Sequence, residues 1–181
     1  MRIGFDFDGV FIDKPPFIPK KLIERLYKKK SSNLSYRFPS KAEQVIRILS
    51  HKKIFRPPIR ENIATIKKYK KNGSHTFFLI SGRFGFIKKE TENLLKHYQL
   101  EEMFKKRFIN YDNNQPHIHK KNVLKHIQLD RYVDDDFDLI LFLSKITPKT
   151  IFFWVNKLED KKISKNLFAI TDFSKVFKDK L

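Results

Sequence analysis

The chain has 181 residues, within the range of one domain, and a domain of that size can bury roughly 70% of the surface its unfolded chain exposes. It contains no cysteine, which excludes disulfides and thiolate metal sites and makes a cytosolic setting the expectation. Lysine and arginine number 39 against 20 aspartates and glutamates, a formal net charge of +19; such a balance draws polyanions such as nucleic acid, acidic lipid or phosphorylated substrates, but specifies no chemistry.

The opening residues enter a strand, Arg2 to Phe7, without a basic leader followed by an apolar run. No apolar stretch of about 18 residues follows anywhere, so neither secretion by that route nor a membrane span is expected. The segment from Lys14 to Pro58 holds six of the eight prolines, at 15, 16, 19, 39, 57 and 58. It contains two helical patterns, about 20–29 and 40–50, with Leu22, Leu26 and then Val45, Ile48 and Leu49 as apolar faces. It reads as an insertion after the first strand, a small helical cap over 15–58, with the core formed by 1–14 and 59–181. Ile59, Ile63, Ile66 and Tyr69 are spaced as in a helix that Asn72-Gly73 would stop. Strands follow at 76–80, 107–110, 132–133 with its flanks and 150–155, alternating with helices at about 86–98 and 122–127. Apolar strands rich in β-branched and aromatic residues, alternating with helices, predict an α/β fold: a Rossmann-like three-layer sandwich with a mainly parallel sheet. The lysine runs are scattered and lack the aromatic signature of an RNA-binding surface, so they read first as solvated faces and second as a functional basic surface.

In open α/β sheets ligands sit beyond the carboxyl ends of the strands. Asp6 and Asp8 follow Ile3-Gly4-Phe5, Ser81 follows Phe77 to Ile80, Asp134-Asp135-Asp136 follow Tyr132-Val133, and Lys120 precedes that last strand. These types suit phosphoryl transfer. Asp6 is a candidate nucleophile on phosphorus, and Asp8 a candidate acid and base for the leaving oxygen and the attacking water. Gly9 and Gly82 allow tight turns at the phosphate. Ser81 and Lys120 offer donors to the phosphoryl oxygens. Carboxylates facing a phosphate dianion need a cation between them, and magnesium held by Asp6, Asp8, Asp134 and Asp135 meets that need. Asp138 is an alternative to Asp135. His117 and His119 stand near Lys120, where a loop role is expected of them.

These segments together resemble the haloacid dehalogenase-like hydrolase superfamily, whose four motifs are matched by Asp6-Phe7-Asp8-Gly9-Val10, by Ser81 in Leu79-Ile80-Ser81-Gly82-Arg83, by Lys120 in His119-Lys120-Lys121, and by Tyr132-Val133-Asp134-Asp135-Asp136. The resemblance covers residues 2 to about 155 apart from the insertion. It implies a Rossmann-like core, Asp6 as nucleophile, Asp8 as acid/base with its backbone carbonyl on magnesium, Asp134 and Asp135 on the metal side, and a helical cap between the first two motifs. The expectation is a magnesium-dependent phosphomonoester hydrolase working through an aspartyl-phosphate on a phosphorylated small molecule, a nucleotide before a sugar phosphate. Arg37, Lys41, Arg56 and Arg60 of the cap would meet a second anionic group. The alternatives are a phosphatase of nucleic-acid ends, marked by salt-sensitive activity, a phosphomutase that returns the phosphoryl group to substrate, and an inactive binding module of the same fold.

Overall fold

The computed structural model describes residues 1–15 and 34–178; the helix expected at 20–29 lies outside them. Seven strands form one sheet in the order β3-β2-β1-β4-β5-β7-β6: β1 (Arg2–Phe5), β2 (Thr76–Ser81), β3 (Lys106–Ile109), β4 (Arg131–Asp134), β5 (Ile151–Val155), β6 (Lys161–Lys162) and β7 (Leu167–Ile170). All pairings are parallel except that of the short edge strand β6 with β7. The described helices are α1 (Lys41–Ser50), α2 (Arg60–Lys71), α3 (Lys88–His97), α4 (Pro116–Ile127) and α5 (Phe137–Ile146). None of the described helices is long and apolar enough to cross a membrane.

Strand alternation creates two apolar layers. Phe5, Phe77 and Leu79 face Ile63 and Ile66 of α2, Leu94 and Leu95 of α3, and Phe173 and Phe177 of the C-terminal 3-10 turn. Phe78, Ile80, Tyr132 and Phe152 face Val123 and Leu124 of α4 and Leu139, Ile140 and Leu143 of α5. Such burial on both faces is why the strands read as continuous apolar runs. α2 starts one residue after Ile59 and stops at Asn72-Gly73, where Gly73 takes φ +69°. α4 begins six residues earlier than the expected 122, because Pro116 occupies its first turn, where a missing N–H costs no helix bond.

The chain at 11–13 and at 57–59 runs side by side. Asp13 N–H donates to Pro57 O at 2.8 Å and Ile59 N–H to Phe11 O at 2.8 Å. Ser40 caps α1 in a capping box with Glu43. The apolar face expected of this helix does not enter the core: Val45 and Leu49 are 58% and 48% exposed, and Arg47 is the residue of α1 that is buried. Tyr36 docks on the core through Gln115, which accepts from its N–H (2.9 Å) and donates to its carbonyl (3.0 Å).

Phe5 is fully buried and its ring centroid lies within 5.5–6.3 Å of those of Phe11, Phe77, Phe173 and Phe177. Phe5→Ala is therefore expected to destabilise the fold by about 3–5 kcal/mol in urea unfolding.

Candidate active site

The strand ends deliver the site. Asp6 follows β1, and its N–H donates to Val133 O at 2.9 Å, so β1–β4 pairing carries its carboxyl beside Asp134. Lys120, in the second turn of α4 and 2% exposed, bridges them: Nζ donates to Asp134 Oδ2 at 2.8 Å and lies 2.9 Å from Asp6 Oδ1. Tyr132 donates its O–H to Asp134 Oδ2 at 2.9 Å, and Asp136 N–H donates to Asp134 Oδ1 at 3.1 Å. Asp6 Oδ1 differs from these. Its approach to Lys120 is an ion pair off the line of a hydrogen bond, and this buried oxygen accepts none. Burial pushes the Asp6 carboxyl well above its ordinary range, and the attraction of Lys120 offsets this only in part. Burial would lower the Lys120 ammonium, but Asp134 and Asp6 outweigh it and hold that group well above its usual value.

Asp6, Asp134 and Asp135 each bring a carboxylate oxygen within 4.8 Å of the others. Such hard oxygen donors suit magnesium, and a divalent cation there would supply the missing partner of Asp6 Oδ1 and favour its charged form. Lys14 anchors Asp135 at 2.7 Å, yet burial still raises that carboxyl. Asp138, exposed in the first turn of α5, lines the cleft without joining the three. Gly9 takes φ +71°, and a Cβ there would lie 2.1 Å from Asp135 Cγ, so glycine serves both the turn and the close approach of the metal-side acid.

The side chain of Asp8 turns elsewhere. Arg83 grips it as a fork, Nε to Oδ2 at 2.7 Å and Nη2 to Oδ1 at 2.7 Å, and Arg56 Nη1 donates to Oδ1 at 3.2 Å. Burial works against the charge of Asp8, but Arg83, then Arg56, hold it well below the usual carboxylate range. Arg83 is fixed by stacking on Phe7, 4.6 Å from the ring centroid, and by donating to Thr91 Oγ1 at 3.1 Å. Neither arginine was given a role at Asp8 on sequence grounds. The available signal was that Arg83 stands two residues after Ser81 in the second motif.

Asp6, Asp8, Ser81, Gly82, Lys120, Asp134 and Asp135 all line one cleft of about 550 Å³, and Gly9 underlies it through Asp135. Of the basic residues expected to meet a second anion, Arg37 and Arg56 line this cleft; Lys41 and Arg60 are exposed and do not. His117 and His119 lie on α4 rather than in a loop, outside the cleft lining, where His117 stacks on Tyr36 and His119 meets Phe108 O. The histidine that does line the cleft is His51.

No protein-family model and no curated protein matches the chain. Solved structures do. A hydrolase of the haloacid dehalogenase (HAD) superfamily from Ehrlichia chaffeensis matches at TM-score 0.56 and 13% identity, over 96% of this chain and 92% of that one. The magnesium-bound HAD hydrolase YfnB of Bacillus subtilis matches at 0.62 and 12%, over 97% and 96%. The Pnkp1/Rnl/Hen1 RNA repair complex matches at 0.55 and 18%, over 85% of this chain and 42% of that one. The fold is that of the HAD-superfamily hydrolases: a Rossmann-like, mostly parallel sheet with acids at the carboxyl end of its first strand.

Removing the bridge should expose the repulsion it holds in check. Lys120→Met is expected to cost about 3–5 kcal/mol, as when one partner of a buried ion pair is deleted. Without the ammonium, the Asp6 carboxyl would be raised further in the folded state, which then binds more protons than the unfolded chain. Stability should therefore fall as pH rises from its unfolded value near ~4. Unfolding at pH 5 and pH 8 checks this: the loss should be greater at pH 8.

Proposed function

We propose that the protein is a magnesium-dependent phosphomonoester hydrolase whose nucleophile is Asp6, with residues 15–58 forming a cap over the site. The observation that carries this reading is the buried Asp6 oxygen without a hydrogen bond, set among Lys120, Asp134 and Asp135. Asp6, Asp134 and Asp135, with the backbone carbonyl of Asp8, would hold the metal. When bound, magnesium supplies charge neutralisation between these acids and the phosphoryl oxygens.

Asp6 forms a bond to phosphorus while the ester P–O bond breaks, and the electron pair leaves with the alcohol oxygen, which takes a proton from Asp8. Arg83 and Arg56 keep Asp8 ionised in the free protein, so it acts as an acid only once the substrate's anion draws those guanidiniums off it and the phosphomonoester monoanion passes it a proton. Water then attacks the aspartyl-phosphate, Asp8 accepts its proton, and the P–O bond to Asp6 breaks to release phosphate. Ser81 and Lys120 donate to the phosphoryl oxygens, and Lys120 holds Asp6 in line. Positioning of this kind can contribute up to ~7–11 kcal/mol to lowering the barrier.

The aromatic wall of the cleft, with Phe84, Phe86 and Trp154, favours a nucleotide over a sugar phosphate. A second reading, action on nucleic-acid ends, is supported by the net charge of +19 and the likeness to an RNA repair complex. The setting proposed is the cytosol.

Purified protein should release phosphate from p-nitrophenyl phosphate only with magnesium, and chelation should abolish it. Asp6→Asn should lose at least about a thousandfold in kcat with an unchanged circular dichroism spectrum; full activity in that variant would overturn the assignment of Asp6.

A further inference from the structure

Two sets of paired charges line the cleft: Asp6, Asp134 and Asp135 with Lys120 and Lys14, and Asp8 with Arg83 and Arg56. Arg56 is central to the second set. It is 5% exposed, and it directly precedes the segment at 57–59. Its Nε donates to Ser50 O at 3.0 Å, and Nη2 lies 2.9 Å from His51 Nε2. His51 Nδ1 in turn sits 2.7 Å from Arg47 O, the arrangement of a neutral ring protonated on Nδ1 that accepts from Arg56. Burial, then Arg56 and Arg83, push the imidazolium form well below its ordinary range, so the ring adds no positive charge of its own.

Two of the three groups holding Arg56 are therefore uncharged, and the third is a carboxylate that Arg83 already grips with two shorter bonds. A rigid, buried guanidinium held mainly by neutral acceptors is placed to receive an anion, because charge-assisted bonds in a desolvated pocket are strong and a fork matches phosphate oxygens. Asp6 and Asp134, held by Lys120, line the same cleft, and apolar side chains such as Ile46, Phe84 and Phe86 line it as well. A ligand spanning the cleft would thus have an anion at each end and an organic body against the apolar wall.

We infer that Arg56, with Arg83 beside it, forms a second-anion subsite, and that the substrate is a nucleoside phosphomonoester bearing another phosphate or phosphodiester. This rests on the phosphatase reading for which phosphate meets Asp6, and it adds the requirement for a second negative group. The shared chemistry is a phosphate oxyanion, which a nucleoside bisphosphate and a phosphorylated strand end both offer.

The test is calorimetric binding to the Asp6→Asn protein with magnesium, using 3′-AMP, 5′-AMP, adenosine 3′,5′-bisphosphate and a dinucleotide with one terminal phosphate. The bisphosphate should bind at least about tenfold tighter than either monophosphate, the order expected of one charge-assisted contact. That advantage should shrink below about threefold in Arg56→Met and be partly retained in Arg56→Lys, which keeps the charge but not the fork. Monophosphates and bisphosphate binding alike, or an advantage that survives Arg56→Met, would overturn the subsite. The comparison among ligands in the protein that retains Arg56 decides the matter even if Arg56→Met does not fold. A dinucleotide binding as tightly as the bisphosphate assigns the subsite to a strand's diester, and one binding like a monophosphate assigns it to a free phosphate; either upholds the subsite. Failure of unsubstituted protein to release phosphate from p-nitrophenyl phosphate would sink the phosphatase reading while leaving the binding difference to stand or fall separately.

Discussion

The site depends on one buried ammonium. Lys120 lies between Asp6 and Asp134, which the pairing of β1 with β4 forces to the same point at the carboxyl edge of the sheet. Burying three charges together is expensive, and the arrangement is tolerable because each attraction acts at low dielectric and Tyr132 and the Asp136 N–H satisfy the remaining lone pairs of Asp134. The bridge is incomplete at one oxygen only. That asymmetry leaves Asp134 satisfied and Asp6 under-satisfied within a single cluster.

Two residues further along the chain, Asp8 meets the opposite environment. Burial and the neighbouring acids Asp134 and Asp8 work against the charge of Asp6, which Lys120 offsets only in part; Asp8 is gripped by guanidinium, which favours its charge. In an extended strand side chains two positions apart share a face, so this divergence depends on the chain leaving β1 after Phe5 and turning at Gly9. Titratable neighbours driven in opposite directions are a recurrent basis for dividing roles between two carboxyls.

The parts legible in sequence were those with local signals. Strands buried on both faces are contiguous apolar runs, so β1, β2 and β5 were read nearly to their ends, and the acids following β1 and β4 took their meaning from that placement. α4 was truncated because Pro116 and the histidines after it hide its first turns from an apolar-period reading. The Arg83–Asp8 and Arg56–Asp8 pairs join residues 75 and 48 positions apart, and nothing in either local segment points to the other. α1 differs for a related reason: its aliphatic stripe looks like a core face, but Val45 and Leu49 are exposed and the helix instead buries Arg47, which lines the cleft.

The excess positive charge also divides in two once the topology is known. Lys67, Lys68, Lys70 and Lys71 end α2, and Lys105 and Lys106 open β3. In a parallel sheet these positions lie at the amino edge, away from Asp6 and Asp134 at the carboxyl edge. Such charges act through the field of the whole molecule, which raises the local concentration of any anion and is screened beyond about 10 Å in ordinary salt. Arginines instead line the cleft, where exclusion of water preserves the strength and direction of each contact. The lysines can explain attraction to polyanions in general, whereas the buried guanidiniums of the cleft offer directed contacts at fixed positions.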